Sequence, residues 1–361
     1  MTTTLALKNP HIRDQHIQFE EVGHKYTILS DPDSKYTSVT TWNHTHFPVF
    51  DADAIIANMM KGKGWKYGHK YWGLNAVEIK AMWANNGSSA GTELHYNIEC
   101  FMNMNMNMDL NMDSNLDITH QNLLDHYHLH GASIIQNTSV EWQYFLQFVK
   151  AFPHFKPYRT EWTVFHEDIK LAGSIDMVYE NPDGTLMIYD WKRSKEIVKS
   201  SRWCKSALTD CISSLPDTNF WHYALQLNTY KAIIEAKYGK KVTDLYLVRL
   251  HPENNPRKTF ELIKVPILQD SIDQLFELRN KECKDKDKDK DKESEDKDKE
   301  CDGECLGQNK VECEAPDGKS YCEFCLFQLT CQKCNKYCED TEFYSNADCL
   351  LCYDCKESYI S

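Results

Sequence analysis

The chain has 361 residues and a formal net charge of −13, which leaves room for two domains and argues against bulk electrostatic attraction to nucleic acid. Both charge and cysteine are unevenly spread. Residues 281–361 hold 13 Lys, no Arg and 22 Asp or Glu, a net of −9, and 11 of the 15 cysteines lie between Cys301 and Cys355. No apolar run reaches the roughly 18 residues a membrane span needs, and Met1 to Pro10 lacks the pattern of a signal peptide. The expected setting is therefore cytoplasmic or nuclear and reducing, where clustered cysteines read as metal ligands before disulfides.

In chain order, Asp51 to Met60 carries helical apolar spacing, and Gly91 to Glu99 reads as a short helix opening after a Gly/Ser-rich turn. Met102 to Asp117 is a Met/Asn-rich stretch with no face to bury. We read it as a flexible insertion, with Cu(I) binding through soft thioethers as a minor alternative. Val140 to Phe152 is helical again. Thr160 to Phe165, Ala172 to Tyr179 and Thr185 to Lys192 are β-branched and aromatic runs, the last two joined by the turn signal Asn181-Pro-Asp-Gly184. Phe220 to Tyr238 predicts a long helix, Val242 to Leu250 a strand and Ser271 to Lys281 a helix. The fold class expected is α/β, a mixed sheet flanked by helices, in a domain spanning 1–280. A charged linker at 281–300 and a cysteine-rich metal-binding region at 301–361 would follow.

The chemistry concentrates at the hairpin. Asp190 and Lys192 share a strand face, because residues i and i+2 point together, and Asp176 sits on the neighbouring strand. Two carboxylates and a lysine at a strand end suit metal-dependent phosphodiester cleavage, with Mg²⁺ (or Mn²⁺) on the carboxylates and the lysine orienting or deprotonating water or offsetting charge. The plain alternative is an exposed hairpin with ordinary charges. Against it, Asp190 and Lys192 emerge directly after the apolar run Leu186-Met-Ile-Tyr189, where unpurposed charge is costly.

These residues carry a resemblance. Gly173-Ser-Ile-Asp176, Ile188-Tyr-Asp-Trp-Lys192 and Gln226-Leu-Asn-Thr-Tyr230, preceded by Gly91-Thr-Glu-Leu-His95, resemble in order and spacing the PD-(D/E)XK nucleases, and within them the RecB-like group. Gly23-His-Lys-Tyr26 and Ser38-Val-Thr-Thr41 resemble the entry to such domains in large DNA viruses. The resemblance implies a restriction-endonuclease-like sheet. It implies His95, Asp176 and Asp190 as metal ligands together with the Trp191 carbonyl, Lys192 as the catalytic lysine, and Glu161 as a further acidic residue. Gln226 and Tyr230 would line the groove near DNA. Arg193 and Lys195 lie where phosphate contacts are expected, with a solvated strand end as the plain reading, and Glu99 lies on the same helical face as His95.

In the tail, Cys322, Cys325, Cys331, Cys334, Cys349 and Cys352 form three Cys-x-x-Cys-type pairs, close to Cys₄ zinc spacing, and no histidine follows His251. Zn²⁺ is the expected ion. The alternative is a [4Fe–4S] cluster, since Cys322-x2-Cys325-x5-Cys331 resembles the cluster-closing motif of some nucleases in this family. That motif takes a fourth cysteine from upstream of the histidine, which this chain lacks. The acidic tail suits docking of a replication or repair protein, or of a separate helicase, because no phosphate-binding Gly-x-x-x-x-Gly-Lys-Ser/Thr loop occurs in the chain. The leading reading is a metal-dependent DNA nuclease, exonuclease or endonuclease. The alternatives are an RNA-cleaving nuclease and an inactive nuclease-like scaffold or zinc-binding adaptor.

Overall fold

The computed structural model describes the backbone of residues 3–20, 22–85, 88–104, 118–130, 135–201 and 204–297, with four short strands beyond them. It divides into two compact units, Met1–Asn280 and Lys281–Ser361. The first unit begins with α1 (Thr4–Lys8), a hairpin of β1 (Ile17–Glu20) and β2 (Lys25–Ile28), the two-residue strand β3 (Thr37–Ser38) and α2 (Val39–Thr45). Helices α3 (Ala52–Lys61), α4 (Ala76–Asn85), α5 (Ser88–Met102), α6 (His120–His130) and α7 (Val140–Ala151) lead into β4 (Lys156–His166), β5 (Leu171–Glu180) and β6 (Leu186–Lys192). Helix α8 (Asn219–Lys237), β7 (Val242–Arg249), β8 (Glu261–Val265) and α9 (Gln269–Lys297) follow. The architecture is the expected mixed sheet with helices on both faces.

Strand pairing opens the sheet at one place. β4 runs antiparallel along the whole of β5 and occupies one edge of it. The other edge is shared, because β3 pairs only at Leu171 and Ala172, whereas β6 pairs only from Met177 to Glu180. Residues 173–176 of β5 therefore have no strand partner on that side, and Asp190 to Lys192 of β6 diverge from β5 while staying parallel to β7. The turn that starts this fork is the predicted one. Asn181 N–H donates to the Thr185 carbonyl, and the Asp183 carboxylate accepts from the Thr185 N–H at 3.0 Å.

Two core layers hold the sheet. On one face α8 buries Leu225, Leu227 and Ile233 against Ile175, Val178 and Ile188; on the other α5 and α7 bury Phe101, Phe145 and Phe148 against Met177, Tyr189 and Trp191. Burial of aromatic and branched side chains on this scale is the main favourable term for the unit.

Helix α5 extends beyond the expected Gly91–Glu99, and α9 runs on through the stretch read as a linker, to Lys297. Alternating Lys and Asp place opposite charges at i and i+3 but like charges at i and i+4, so side-chain ion pairs alone do not account for this helix. The Met/Asn-rich stretch, read as a flexible insertion from Met102 to Asp117, begins differently: Met102 ends α5, and it and Met104 are buried in the second core layer, while residues 105–117 lie outside the described residues. In the second unit, β9 (Cys313–Glu314) pairs antiparallel with β10 (Ser320–Tyr321), and β11 (Glu342–Tyr344) with β12 (Cys349–Leu351). The side chains of Cys322, Cys325, Cys331, Cys334, Cys349 and Cys352 lie outside the described residues. Among the described residues no helix is long and apolar enough to cross a membrane.

Candidate active site

The fork in the sheet is where the charged residues gather. Trp191 turns its indole into the second core layer, edge-on to Phe145 at 5.6 Å and Phe148 at 5.4 Å, which fixes the backbone of β6 just past its last pairing with β5. Its backbone N–H donates to Asp176 Oδ2 at 3.0 Å, bridging the fork. Its carbonyl lies 3.0 Å from His95 Nε2. A carbonyl only accepts, so Nε2 carries a ring proton, and the lone pair available to a cation is the one on Nδ1. That nitrogen is 3.5 Å from Asp176 Oδ2. Helix α5 delivers His95 by burying Leu94, Ile98 and Phe101 beside it.

Glu161 completes the cluster. It stands opposite Asp176 between the pairs Thr160↔Met177 and Trp162↔Ile175, with its backbone at φ 41°, and it accepts a hydrogen bond from Ser174 Oγ at 2.9 Å. The sheet changes faces at this point. Ile175 packs in one core layer and Met177 in the other, although strand alternation alone would put them together. Burial, reinforced by the negative charge of Asp176, pushes the Glu161 carboxyl up to about 8. The donor atoms of His95, Glu161 and Asp176 lie within 4.8 Å of one another. One imidazole and two carboxylates that repel each other when empty form a donor set that fits a hard divalent cation. Glu99, one turn beyond His95, is half-buried, and burial raises its carboxyl too.

Asp190 lies outside that set of three but near it, close enough for its charge to act on Glu161 and for Asp176 and His95 to act on it. Its Oδ2 lies 2.6 Å from Lys192 Nζ, and its side chain is 5% exposed. Burial pushes its carboxyl up to about 6, against the opposing pull of Lys192. Lys192 also lies 4.5 Å above the ring of Tyr223. Burial disfavours the ammonium, but Asp190 and Asp176 outweigh it and raise the lysine above its ordinary value. The structure thus places Asp190 with Lys192, outside the clustered donor atoms, and brings Glu161 into them.

The remaining expected residues are placed as follows. Gln226 is half-buried on α8, and its amide donates to the Tyr230 hydroxyl at 3.4 Å. Tyr230 is 3% exposed and packs beneath Gly173, so it supports the site from the core and does not face an open groove. Arg193 is held by Glu141 at 3.0 Å, and Lys195 by Glu253 at 2.5 Å. Sequence reading missed Tyr223 and Ser174. Tyr223 was discoverable from helical spacing, three residues before Gln226 and seven before Tyr230; Ser174 carries no sequence signal beyond lying two residues before Asp176.

A forked mixed sheet that carries an imidazole–carboxylate donor set beside a half-buried, charged lysine offers the groups that metal-assisted hydrolysis uses. The sequence model of the PD-(D/E)XK nuclease superfamily matches residues 113–332. The chain belongs to this superfamily, whose members are metal-dependent phosphodiester hydrolases. No curated protein matches the sequence.

Proposed function

We propose that this chain is a Mg²⁺- or Mn²⁺-dependent deoxyribonuclease of the RecB-like type, working in DNA repair, recombination or genome processing inside the cell. The observation that carries the reading is the convergence of His95, Glu161 and Asp176 beside Lys192 at the fork. A divalent cation held by those three side chains supplies polarisation of the scissile phosphate and a more acidic bound water.

The protein's own groups do the rest. Trp191 fixes the His95 tautomer, and Ser174 orients Glu161. Asp190 and Tyr223 hold Lys192 as an ammonium, which favours charge stabilisation and water orientation over proton abstraction. Gln226, half-buried on α8, is the residue we assign to contact with the strand.

The test is cleavage of end-labelled DNA with Mg²⁺. Asp176→Ala is expected to abolish cleavage, and Lys192→Ala to lower the rate by about 10²–10³-fold while leaving Mn²⁺ binding in place. Undiminished cleavage by both variants would sink the assignment. Cleavage of RNA but not DNA would select the RNA-cleaving alternative, and metal binding without cleavage of either would select the scaffold reading.

For the tail, the surplus of cysteines supports Zn²⁺, with docking of a helicase or repair protein as its role. A specific observation supports the [4Fe–4S] alternative. The superfamily match runs through Cys322, Cys325 and Cys331 and stops at residue 332, before Cys334. Metal analysis with a visible absorption spectrum of the purified chain separates the two.

A further inference from the structure

Between α3 and α4 the chain reads Lys61-Gly-Lys-Gly-Trp65-Lys-Tyr-Gly-His69-Lys-Tyr-Trp72, four lysines interleaved with four aromatics and a histidine and no acidic residue. In a chain of net charge −13 this is a concentrated positive island. Its backbone is a succession of tight turns. The N–H groups of Gly62, Trp65, His69 and Trp72 each donate to the carbonyl three residues earlier, and Gly68 and Gly73 take φ values of 94° and 91°.

Within these turns Trp65, His69 and Tyr71 are half-buried and Tyr67 and Trp72 are exposed. Trp65 lies 5.0 Å from His69 and 5.9 Å from Trp72, and Tyr71 abuts Trp83 at 6.1 Å. Tyr67 is 90% exposed and Trp72 46%. Lys61, Lys63, Lys66 and Lys70 are exposed and form no ion pair among the described residues. Neither core packing nor a surface ion network accounts for this arrangement, since exposed aromatic clusters of this kind mark binding surfaces.

The loop runs near the segment that follows β6. Tyr71 lies close enough to Lys195, three residues past Lys192, and Lys70 close enough to Glu253, the ion-pair partner of Lys195, for each to feel the other's charge.

We propose that residues 61–72 form a platform for single-stranded polynucleotide, with bases stacked on Tyr67 and Trp72 and the phosphates tracked by Lys63, Lys66 and Lys70, feeding the strand to the Lys192 end of the fork. The proposal rests on the nuclease reading and narrows its substrate to an unpaired strand. Stacked bases inside a duplex offer no free face to these rings, whereas an unpaired strand offers one per nucleotide. The lysines alone would not discriminate, because phosphates are common to both.

The experiment is fluorescence anisotropy of the full chain with a labelled oligothymidylate and with a duplex of equal length, in Ca²⁺ to prevent turnover. Tyr67→Ala/Trp72→Ala is expected to weaken single-strand binding by about 30-fold or more, each lost ring contributing about 5–150-fold, with little change for the duplex. Lys63→Ala/Lys66→Ala is expected to lower the slope of log affinity against log salt by about 0.7 per lysine removed. Trp72→Phe, which keeps a stacking face, should retain most of the affinity, and near-ultraviolet circular dichroism confirms folding of each variant. Unchanged single-strand affinity, or an equal loss on strand and duplex, overturns the proposal.

Because binding is read without cleavage, the two readings fail separately. Persistent cleavage by Asp176→Ala and Lys192→Ala removes the active-site assignment. Wild-type kcat/KM on single strands by the Tyr67→Ala/Trp72→Ala variant removes the platform alone.

Discussion

Glu161 is the residue at which sequence, backbone and chemistry are most tightly tied. A glutamate at φ 41° within a strand costs about 1–3 kcal/mol relative to an extended conformation, and such strain persists where surrounding structure imposes it. Here the neighbours on both sides are locked, Thr160 and Trp162 being paired with Met177 and Ile175. What the strain achieves is the delivery of the carboxylate to Asp176 and His95. Replacement by glutamine separates folding from metal binding. Burial and Asp176 push the carboxyl up to about 8, so near neutrality the acid is largely protonated in the absence of metal and glutamine mimics that form. The amide oxygen also keeps the acceptor for Ser174. Glu161→Gln is therefore expected to leave the melting temperature of the metal-free protein unchanged or slightly raised. Mn²⁺ affinity, read by calorimetry, should fall by about 10–100-fold or more, the range seen even for lost outer ligands. A stability loss with unchanged Mn²⁺ affinity would mean that the strained carboxylate serves folding alone.

At the scale of elements, the fork depends on how closely α8 can approach β5. A Cβ on Gly173 would lie 2.7 Å from Cε1 and 2.9 Å from the hydroxyl of Tyr230, a ring buried to 3% exposure with nowhere to move. Gly173→Ala should cost about 1–3 kcal/mol of stability by overpacking, read as a shift in urea midpoint, and the added Tyr230→Leu should recover most of it by clearing the ring. If the single variant is as stable as the parent, α8 has more freedom than the packing shows. These elements also show what was legible in advance. β5, β6 and their turn announced themselves through alternation and Asn181-Pro-Asp-Gly184, and the motif placed Asp176, Asp190 and Lys192 on facing strands. The face change between Ile175 and Met177 was not legible, because strand alternation puts both on one face and the left-handed angle at Glu161, opposite on β4, carries no sequence signal. At this place Glu161 joins His95 and Asp176, while Asp190, on β6, pairs with Lys192. Strand β3 was invisible for a related reason: two residues have no periodicity, and only tertiary pairing with Leu171 and Ala172 defines them. Helix α6 was hidden by its polar, histidine-rich sequence, in which His120 is buried by context and not by type.

Across the first unit, the N-terminal segment is tied to β4 by charge. Asp14 pairs with Arg159 at 2.7 Å and accepts from the Trp162 indole at 3.0 Å, and Arg13 pairs with Glu167 at 2.7 Å. Burial opposes ionisation of both carboxyls, but Arg159 and Trp162 hold Asp14 below its ordinary value, and Arg13 holds Glu167 down to about 2. Two histidines act in the same direction. Burial lowers His120, among Phe148, Phe155 and Tyr179, to about 3, and burial with the nearby Lys237 lowers His166 to about 4. For each of these groups the folded state binds its proton at lower pH than the unfolded chain, so acid favours unfolding. The histidine contribution is lost first, from about pH 6.5 downward, and the carboxylate contribution joins below about pH 4.5, toward 2. Glu161 and Asp190 work against this trend. Their raised values make the folded state gain stability as pH falls, from about 8 for Glu161 and from about 6 for Asp190, toward the ordinary carboxyl range. The cleaner measurement is therefore made in the Glu161→Gln/Asp190→Asn background, following urea midpoints from pH 7.5 to 3.5. A decline should begin between pH 6.5 and 5.5 and steepen below 4.5. Adding His120→Gln should flatten the upper part, and adding Asp14→Asn should lower stability at neutral pH while flattening the lower part. A midpoint that holds constant from pH 7 to 5 would mean that His120 and His166 find proton partners in the fold, and the burial of neutral imidazoles would then not be what sets the acid limit of this domain.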